Sequence, residues 1–138
     1  MKTAIIYWSG TGNTEAMAKA IERGLKEGGT DTAVFEVDKT NAGIAEQYDK
    51  FAFGCPSMGS EVLEEDSFEP FFAAVEGKLS GKKVALFGSY GWGDGEWMRD
   101  WQARTSKTGA VLFEQGLTQQ EAPDEALCAE FGKRFAAF

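Results

Sequence analysis

Short apolar runs alternate with amphipathic segments along the whole chain. Ala4–Tyr7, Thr32–Val37, Phe51–Gly54, Val84–Ser89 and Ala110–Phe113 are rich in Val, Ile, Leu and Phe, the composition of strands covered on both faces. Between them the period lengthens to that of helices. A first helix is predicted from about Thr14 to Glu27, with Met17, Ala20, Ile21 and Leu25 on one side and Gly28-Gly29 closing it. A second is predicted over Phe68–Glu76 with Pro70 in its first turn, and Thr40–Gln47 is only weakly periodic. A third begins near Asp94, carries Trp97, Met98 and Trp101 on one side and ends at Gly109. The last runs from Pro123 with Leu127, Phe131 and Phe135 at i, i+4 and i+8, all three assigned to the core. With no repeat or linker, the pattern predicts one domain over residues 1–138, an α/β fold with a doubly wound parallel sheet of five strands and helices on both faces.

Composition narrows the function. The 14 basic and 22 acidic residues give a net charge of -8, which argues against nucleic acid and anionic membrane surfaces and favours basic partners. No segment approaches the ~18 apolar residues of a membrane span, so a soluble cytoplasmic protein, without membrane insertion and monomeric, is expected. Cys55 and Cys128 are too few and too far apart for a metal cluster, and structural burial is expected for both. The absence of histidine disfavours hydrolytic triads and zinc chemistry, so any redox chemistry must be carried by a cofactor.

In a sheet of this class ligands sit at the carboxyl ends of the strands, near the point where the winding reverses. Three strand-end loops are unusual. Ser9-Gly10-Thr11-Gly12-Asn13-Thr14 joins the first strand to a helix N-terminus, where unpaired amides and the positive end of the helix dipole favour an anion. Its Ser9, Thr11 and Thr14 offer hydroxyl donors, and the lack of a Lys before Thr14 and of a third glycine at Glu15 excludes the triphosphate and dinucleotide patterns. One terminal phosphate monoester is the ligand that remains. Pro56-Ser57-Met58-Gly59-Ser60-Glu61 follows the third strand, with Gly59 able to take the positive φ of the second position of a type II′ turn spanning Met58–Glu61. Ser89-Tyr90-Gly91-Trp92-Gly93-Asp94 follows the fourth and sets two aromatics among glycines. An aromatic and a thioether facing one another suit a planar heteroaromatic ring. A phosphate at one end and a flat ring at the other is the shape of flavin mononucleotide (FMN).

On these residues the chain resembles the flavodoxins, of the short kind that lacks an insertion in the fifth strand. The matching positions are Tyr7–Glu15, Tyr48-Asp49, Gly54-Cys55-Pro56-x-Met58-Gly59, Glu61 with Leu63-Glu64, Glu69-Pro70-Phe71, Gly81–Gly93, Glu96-Trp97-Met98 and Pro123-Asp124, so the resemblance covers essentially the full length. Phe51 and Phe53 stand where aliphatics are usual, and Thr118-Gln119-Gln120 is an unfamiliar form of the loop after strand five. The resemblance implies the strand order 2-1-3-4-5 and an FMN-carrying one-electron carrier, not an enzyme, that shuttles between semiquinone and hydroquinone. It implies ferredoxin-dependent oxidoreductases as its donors and acceptors. It further implies that Ser9 to Thr14 bind the phosphate, Met58 and Trp92 cover the inner and outer ring faces, and Glu61 accepts from the ring N3–H. Amides of Ser89 to Trp92 would meet the ring edge, and the Gly59 carbonyl would turn toward N5.

Residues 57–70 also hold Glu61, Glu64, Glu65, Asp66 and Glu69 with no Lys or Arg, which would oppose an anion forming on the ring. Unit charges roughly 8 to 10 Å apart repel by about 2 kcal/mol at an effective dielectric near 20. The alternatives are an FMN-dependent quinone or nitro reductase, for which 138 residues leave little second pocket, and an FMN-loaded activator of one enzyme. A signalling receiver domain would need acidic residues at the end of the first strand, where Tyr7-Trp8-Ser9 stands.

Overall fold

The computed structural model describes residues 2–138. The apolar runs form strands β1 (Lys2–Tyr7), β2 (Asp31–Glu36), β3 (Lys50–Gly54), β4 (Lys83–Tyr90) and β5 (Val111–Leu112), and a sixth strand, β6 (Leu117–Gln120), follows. The helices are α1 (Asn13–Glu27), α2 (Phe68–Val75), α3 (Glu96–Ser106) and α4 (Glu125–Ala137). The strands pair in parallel in the order β2-β1-β3-β4-β5, with β6 also on β4.

The expected fifth strand is therefore one sheet position filled by two pieces. Lys83 and Val84 of β4 face β5, whereas Phe87 to Tyr90 face β6. Between the pieces Glu114 takes φ 52°, and the Gly116 amide donates to Gln102 Oε1 of α3 at 2.6 Å. Thr118–Gln120, read from the sequence as loop, is strand. An edge strand with half-buried polar side chains carries little of the hydrophobic pattern on which that reading rests.

Alternation along the central strands builds two cores. Ala4, Ile6, Phe51, Phe53, Val84 and Leu86 point to the side of α2 and α3, and Ile5, Tyr7, Ala52, Ala85 and Phe87 to that of α1 and α4. Right-handed crossovers require this: β1 to β2 runs one way across the sheet and β3 to β4 the other, so their helices lie on opposite faces. The β2 to β3 connection, weakly periodic in sequence, passes through short 3₁₀ turns at Val37–Lys39 and Ala42–Glu46 and buries Ile44 and Ala45 beside α2. The unusual Phe51 and Phe53 stack at 5.5 Å, and the Phe53 ring meets the Phe72 ring edge-on at 5.5 Å. Cys55 and Cys128 are both buried, as expected.

In α4 the buried set is Cys128, Phe131, Gly132 and Phe135. These are the i, i+3, i+4 and i+7 positions, which turns Leu127 outward, 51% exposed, against the expectation that it is core. At the far end of the sheet the buried Lys50 donates from Nζ to the Phe135 carbonyl at 2.6 Å, holding the last turn of α4. Burial, then the nearby Lys83, lowers the Lys50 pKa.

Helices α1 and α4 touch backbone to backbone. A Cβ at Gly24 would lie 1.8 Å from the Ala129 carbonyl oxygen, and one at Gly132 would lie 2.3 Å from that of Ile21. Gly132→Ala therefore sets two effects against each other: helix propensity favours alanine by ~1 kcal/mol, and the forced separation of the helices opposes it by about 1 to 3 kcal/mol. Sterics should win, with a net loss of stability in urea unfolding. An unchanged or raised midpoint would mean that the helix contact yields freely.

Candidate functional site

The strands at the switch point end in register, with Tyr7 beside Gly54 and Gly54 beside Phe87. The ladder continues past them through Trp8 N–H to Gly54 O, Cys55 N–H to Phe87 O and Ser57 N–H to Ser89 O, at 3.0, 3.1 and 3.0 Å. This extension fixes the three loops side by side. On the outer flank Glu121 N–H donates to Tyr90 O at 2.7 Å, so the end of β6 joins them.

In the first loop Gly12, at φ 99°, caps α1 without a side-chain bond from its own position. Ser9 Oγ instead accepts the Gly12 and Glu15 amides at 3.1 and 3.2 Å. The Asn13 amide reaches Thr11 Oγ1 at 3.5 Å. The amides of Gly10, Thr11 and Thr14 have no protein acceptor among the described residues. Thr14 differs from Ser9 and Thr11: it is buried, and its hydroxyl pairs with Ser89 Oγ at 2.8 Å. Beside the loop Tyr7 O–H donates to Glu15 Oε2 at 3.2 Å, and burial, then the charges of Glu15 and Glu36, push its pKa up to about 12.

The second loop is a hairpin closed one residue later than expected. Met58 and Val62 exchange both backbone hydrogen bonds, at 2.8 and 2.9 Å, with Gly59, Ser60 and Glu61 between them. Gly59 has φ 49°, the positive value anticipated, and Glu61 follows at φ 55°. That is an uncommon conformation for a residue with a Cβ. Its side chain explains it, because Glu61 Oε1 accepts the Gly95 and Glu96 amides at 3.2 and 3.0 Å and so caps α3 from another loop.

The acidic run of this segment is thus largely engaged. Glu64 accepts the amides of Asp66, Ser67 and Phe68 at 2.8, 2.8 and 2.7 Å and caps α2. Glu69 forms a two-pronged bond with Arg104, at 2.8 and 2.7 Å. The cation missing from the segment is supplied by α3. Glu69 is thus neutralised by Arg104, Glu61 and Glu64 keep their charges against helix N-termini, and Glu65 and Asp66 remain exposed, so the repulsion expected from the segment loses one charge. Cys55, beneath the hairpin, is fully buried, and burial is the chief cause that raises its thiol pKa and disfavours the thiolate.

The loops enclose a cleft of about 300 Å³. Gly10, Thr11, Asn13, Pro56, Ser57, Met58, Ser89, Tyr90 and Gly91 line it, joined by Trp8 and Glu121, which sequence reasoning did not select. Ser9, Gly12, Thr14, Gly59, Ser60, Glu61, Gly93 and Asp94 stand behind or beside this lining, and Trp92, 65% exposed, projects at the rim. Asp94 turns away to Arg99 at 3.0 Å. Trp8 packs its ring edge against Gly10, within 2.9 Å of where a Cβ would stand, and its place next to the loop in sequence was the available signal. For Glu121 there was none, since only the β4–β6 pairing carries it there. Glu121 also has a positive φ, 55°, so two of the three non-glycine residues of that kind among those described flank the cleft. Orphan amides at one end and a flat, mostly apolar slot at the other can hold an anion joined to a ring.

No described helix is long and apolar enough to cross a membrane. A sequence model of the family described as "Flavodoxin" matches residues 5–132. The chain is 52% identical over 134 residues to the flavodoxin of Clostridium beijerinckii, covering 96% of this chain and 97% of that one. To the flavodoxin of Megasphaera elsdenii it is 50% identical over 133 residues, 96% of each chain. The solution structure of the two-electron reduced Megasphaera elsdenii flavodoxin superposes with a TM-score of 0.91 at 48% identity, over 99% of both chains.

Replacing Glu61 tests its structural role directly. Glu61→Gln keeps an acceptor but removes the charge facing the α3 N-terminus and should cost about 1 kcal/mol, whereas Glu61→Ala removes both and should cost more, about 1 to 2 kcal/mol. Equal unfolding midpoints for the native chain and Glu61→Ala would show that the cap contributes nothing.

Proposed function

The chain belongs to the flavodoxin family, and from that membership we propose that it is a carrier of single electrons that holds FMN in the cleft and works at low potential, in place of or beside ferredoxin. The observation that carries the reading is the set of orphan amides of the 9–14 loop opening onto a slot flanked by Met58 and Tyr90. The residues present fit FMN: donors without a cation suit a monoester phosphate, and a thioether with aromatic rings suits its ring. When bound, the flavin supplies the redox chemistry, accepting electrons one at a time.

The chain's own residues set the terms. Amides of Gly10, Thr11 and Thr14, with the hydroxyls of Ser9 and Thr11, would hold the phosphate. Met58 and Trp92 would cover the ring, and the amides of Ser89 to Trp92 would meet its edge. Glu61, fixed by its bonds to α3, keeps its second carboxylate oxygen for a ring N–H. Gly59 can present its carbonyl to a proton gained at the ring, and its lack of a Cβ leaves the positive φ unstrained. Desolvation between apolar covers, with the charges of Glu61 and Glu121 beside the cleft, would disfavour a ring anion and lower the potential.

Electrons must leave through a surface. Trp92 and Met58 are 65% and 36% exposed at the cleft, Val62, which pairs with Met58, is 41% exposed, and Glu121 of the cleft lining is exposed, as are Glu65, Asp66 and Glu96 of the neighbouring segments. An apolar patch in an acidic field suits basic docking surfaces on ferredoxin-dependent oxidoreductases.

Anaerobic stepwise reduction of the purified protein, followed by its visible spectrum, should resolve two separate one-electron steps. A single two-electron bleach would point to a reductase, and failure to bind added FMN would remove the proposal altogether. Gly59→Ala places a Cβ where nothing lies within 4 Å, so it acts only through the positive φ, at a cost of about 1 kcal/mol. The gap between the two potentials should narrow. Unaltered potentials would show that the Gly59 peptide does not respond to the charge of the ring.

A further inference from the structure

The sulfur side chains of the described residues are sealed in the two cores, with one exception. Met17, Cys55 and Cys128 are fully buried and Met98 is 2% exposed, whereas Met58 is 36% exposed and lines the cleft. The cysteines are protected a second time. Burial raises both thiol pKa values, that of Cys128 to about 11, and so suppresses the thiolate that oxidants attack. A thioether needs no deprotonation to react, and access alone decides its fate.

The backbone keeps Met58 at this place. Its amide and carbonyl are both bonded to Val62, at 2.8 and 2.9 Å, and the neighbouring Glu61 ties the hairpin to the N-terminus of α3. The side chain can therefore change rotamer over the cleft but cannot withdraw with the main chain into the core. It shares the slot with Pro56, Ser57 and Tyr90, so a flat ring lying there would cover the sulfur.

The reaction that such access permits is oxidation by a hydroperoxide, of which hydrogen peroxide is the simplest. A sulfur lone pair attacks one peroxide oxygen, the S–O bond forms as the O–O bond breaks, and the proton of the attacked oxygen passes to the leaving one, which departs as water. Sulfur loses two electrons and the peroxide gains them. The sulfoxide is polar where the thioether was apolar, and enzymes that reduce it can restore the original side chain. Glu61 and Glu121 stand beside the cleft as carboxylates, which accept hydrogen bonds and have none to give the new oxygen. Pressing that oxygen between a ring and the apolar lining costs affinity.

We propose that Met58 is a site of reversible oxidation by hydroperoxides, open in the flavin-free chain and shielded by bound FMN, and that its sulfoxide loosens the hold of the cleft on FMN. The inference rests on the FMN reading and adds to it a modification that would take the carrier out of use until it is repaired.

The flavin-free full chain, treated with hydrogen peroxide and mapped by peptide mass spectrometry, tests the first half. Met58 should gain one oxygen well before Met17 and Met98, and FMN added beforehand should slow that gain severalfold. Fluorescence titration tests the second half: the oxidised chain should bind FMN about threefold to tenfold more weakly, as expected for burying a polar group with incomplete hydrogen bonding. Met58→Leu keeps the apolar bulk without the thioether, so peroxide should leave its FMN affinity unchanged. An equal loss in Met58→Leu, equal oxidation of Met17, Met58 and Met98, an oxidation rate that FMN does not slow, or native affinity in the chain oxidised at Met58 would each overturn the proposal. If Met58→Leu does not bind FMN, repair of the oxidised native chain by methionine sulfoxide reductases for both epimers carries the test. Affinity should return as the oxygen is lost, and an affinity that stays low would overturn the proposal. Failure of the untreated chain to bind FMN would remove the functional reading and this inference with it, whereas normal binding that peroxide does not alter removes this inference alone.

Discussion

The reversal of winding between β1 and β3 is the constraint from which the site follows. Because crossovers keep one hand, the chain must leave β1 on one face of the sheet and β3 on the other. No helix can then cover the carboxyl ends of these adjacent strands. The space between them is filled by loops, and their extended ladder, from Trp8 through Ser57 to Ser89, holds those loops at fixed spacing. A cleft at this place needs no special sequence. Its selectivity does: a helix N-terminus with orphan donors on one side, and a thioether and aromatics on the other.

Helix N-termini supply a second organising force, used in three ways. The N-terminus of α1 is left with orphan amides. Those of α2 and α3 take carboxylates from the Met58 hairpin segment, through Glu64 and Glu61. The same field that would attract an external anion at α1 is satisfied internally at the other two. One consequence is mechanical, because the hairpin segment is anchored to both helices by charge-assisted bonds, while a Cβ at Gly59 would meet nothing within 4 Å. Another is electrostatic, because acids that look free in the sequence are engaged, and the carboxylate nearest the cleft's other flank, Glu121, comes from β6.

Strain gathers where these requirements meet. Glu61 and Glu121 both adopt positive φ beside the cleft, one held by its carboxylate and the other by its backbone bond to Tyr90. The far end of the sheet, by contrast, is devoted to stability. There Lys50 closes the last turn of α4, and glycines let α1 and α4 touch.

The sequence by itself determined the α/β class, the first four strands, the helices to within a few residues and the three loops of the site, because each rests on local signals: apolar runs, helical periodicity, glycine and hydroxyl clusters. It misread what depends on partners distant in the chain. Thr118–Gln120 is strand only because β4 offers an edge, and Glu121 reaches the cleft by the same pairing. Leu127 points outward because the packing of Phe131 and Phe135 fixes the helix face. Only the tertiary structure decided that Thr14 pairs with Ser89, that Arg104 neutralises Glu69 and that Glu61 caps α3. A side chain's local pattern shows what bonds it can make, whereas the bond it does make depends on which donor or acceptor the fold brings within about 3 Å.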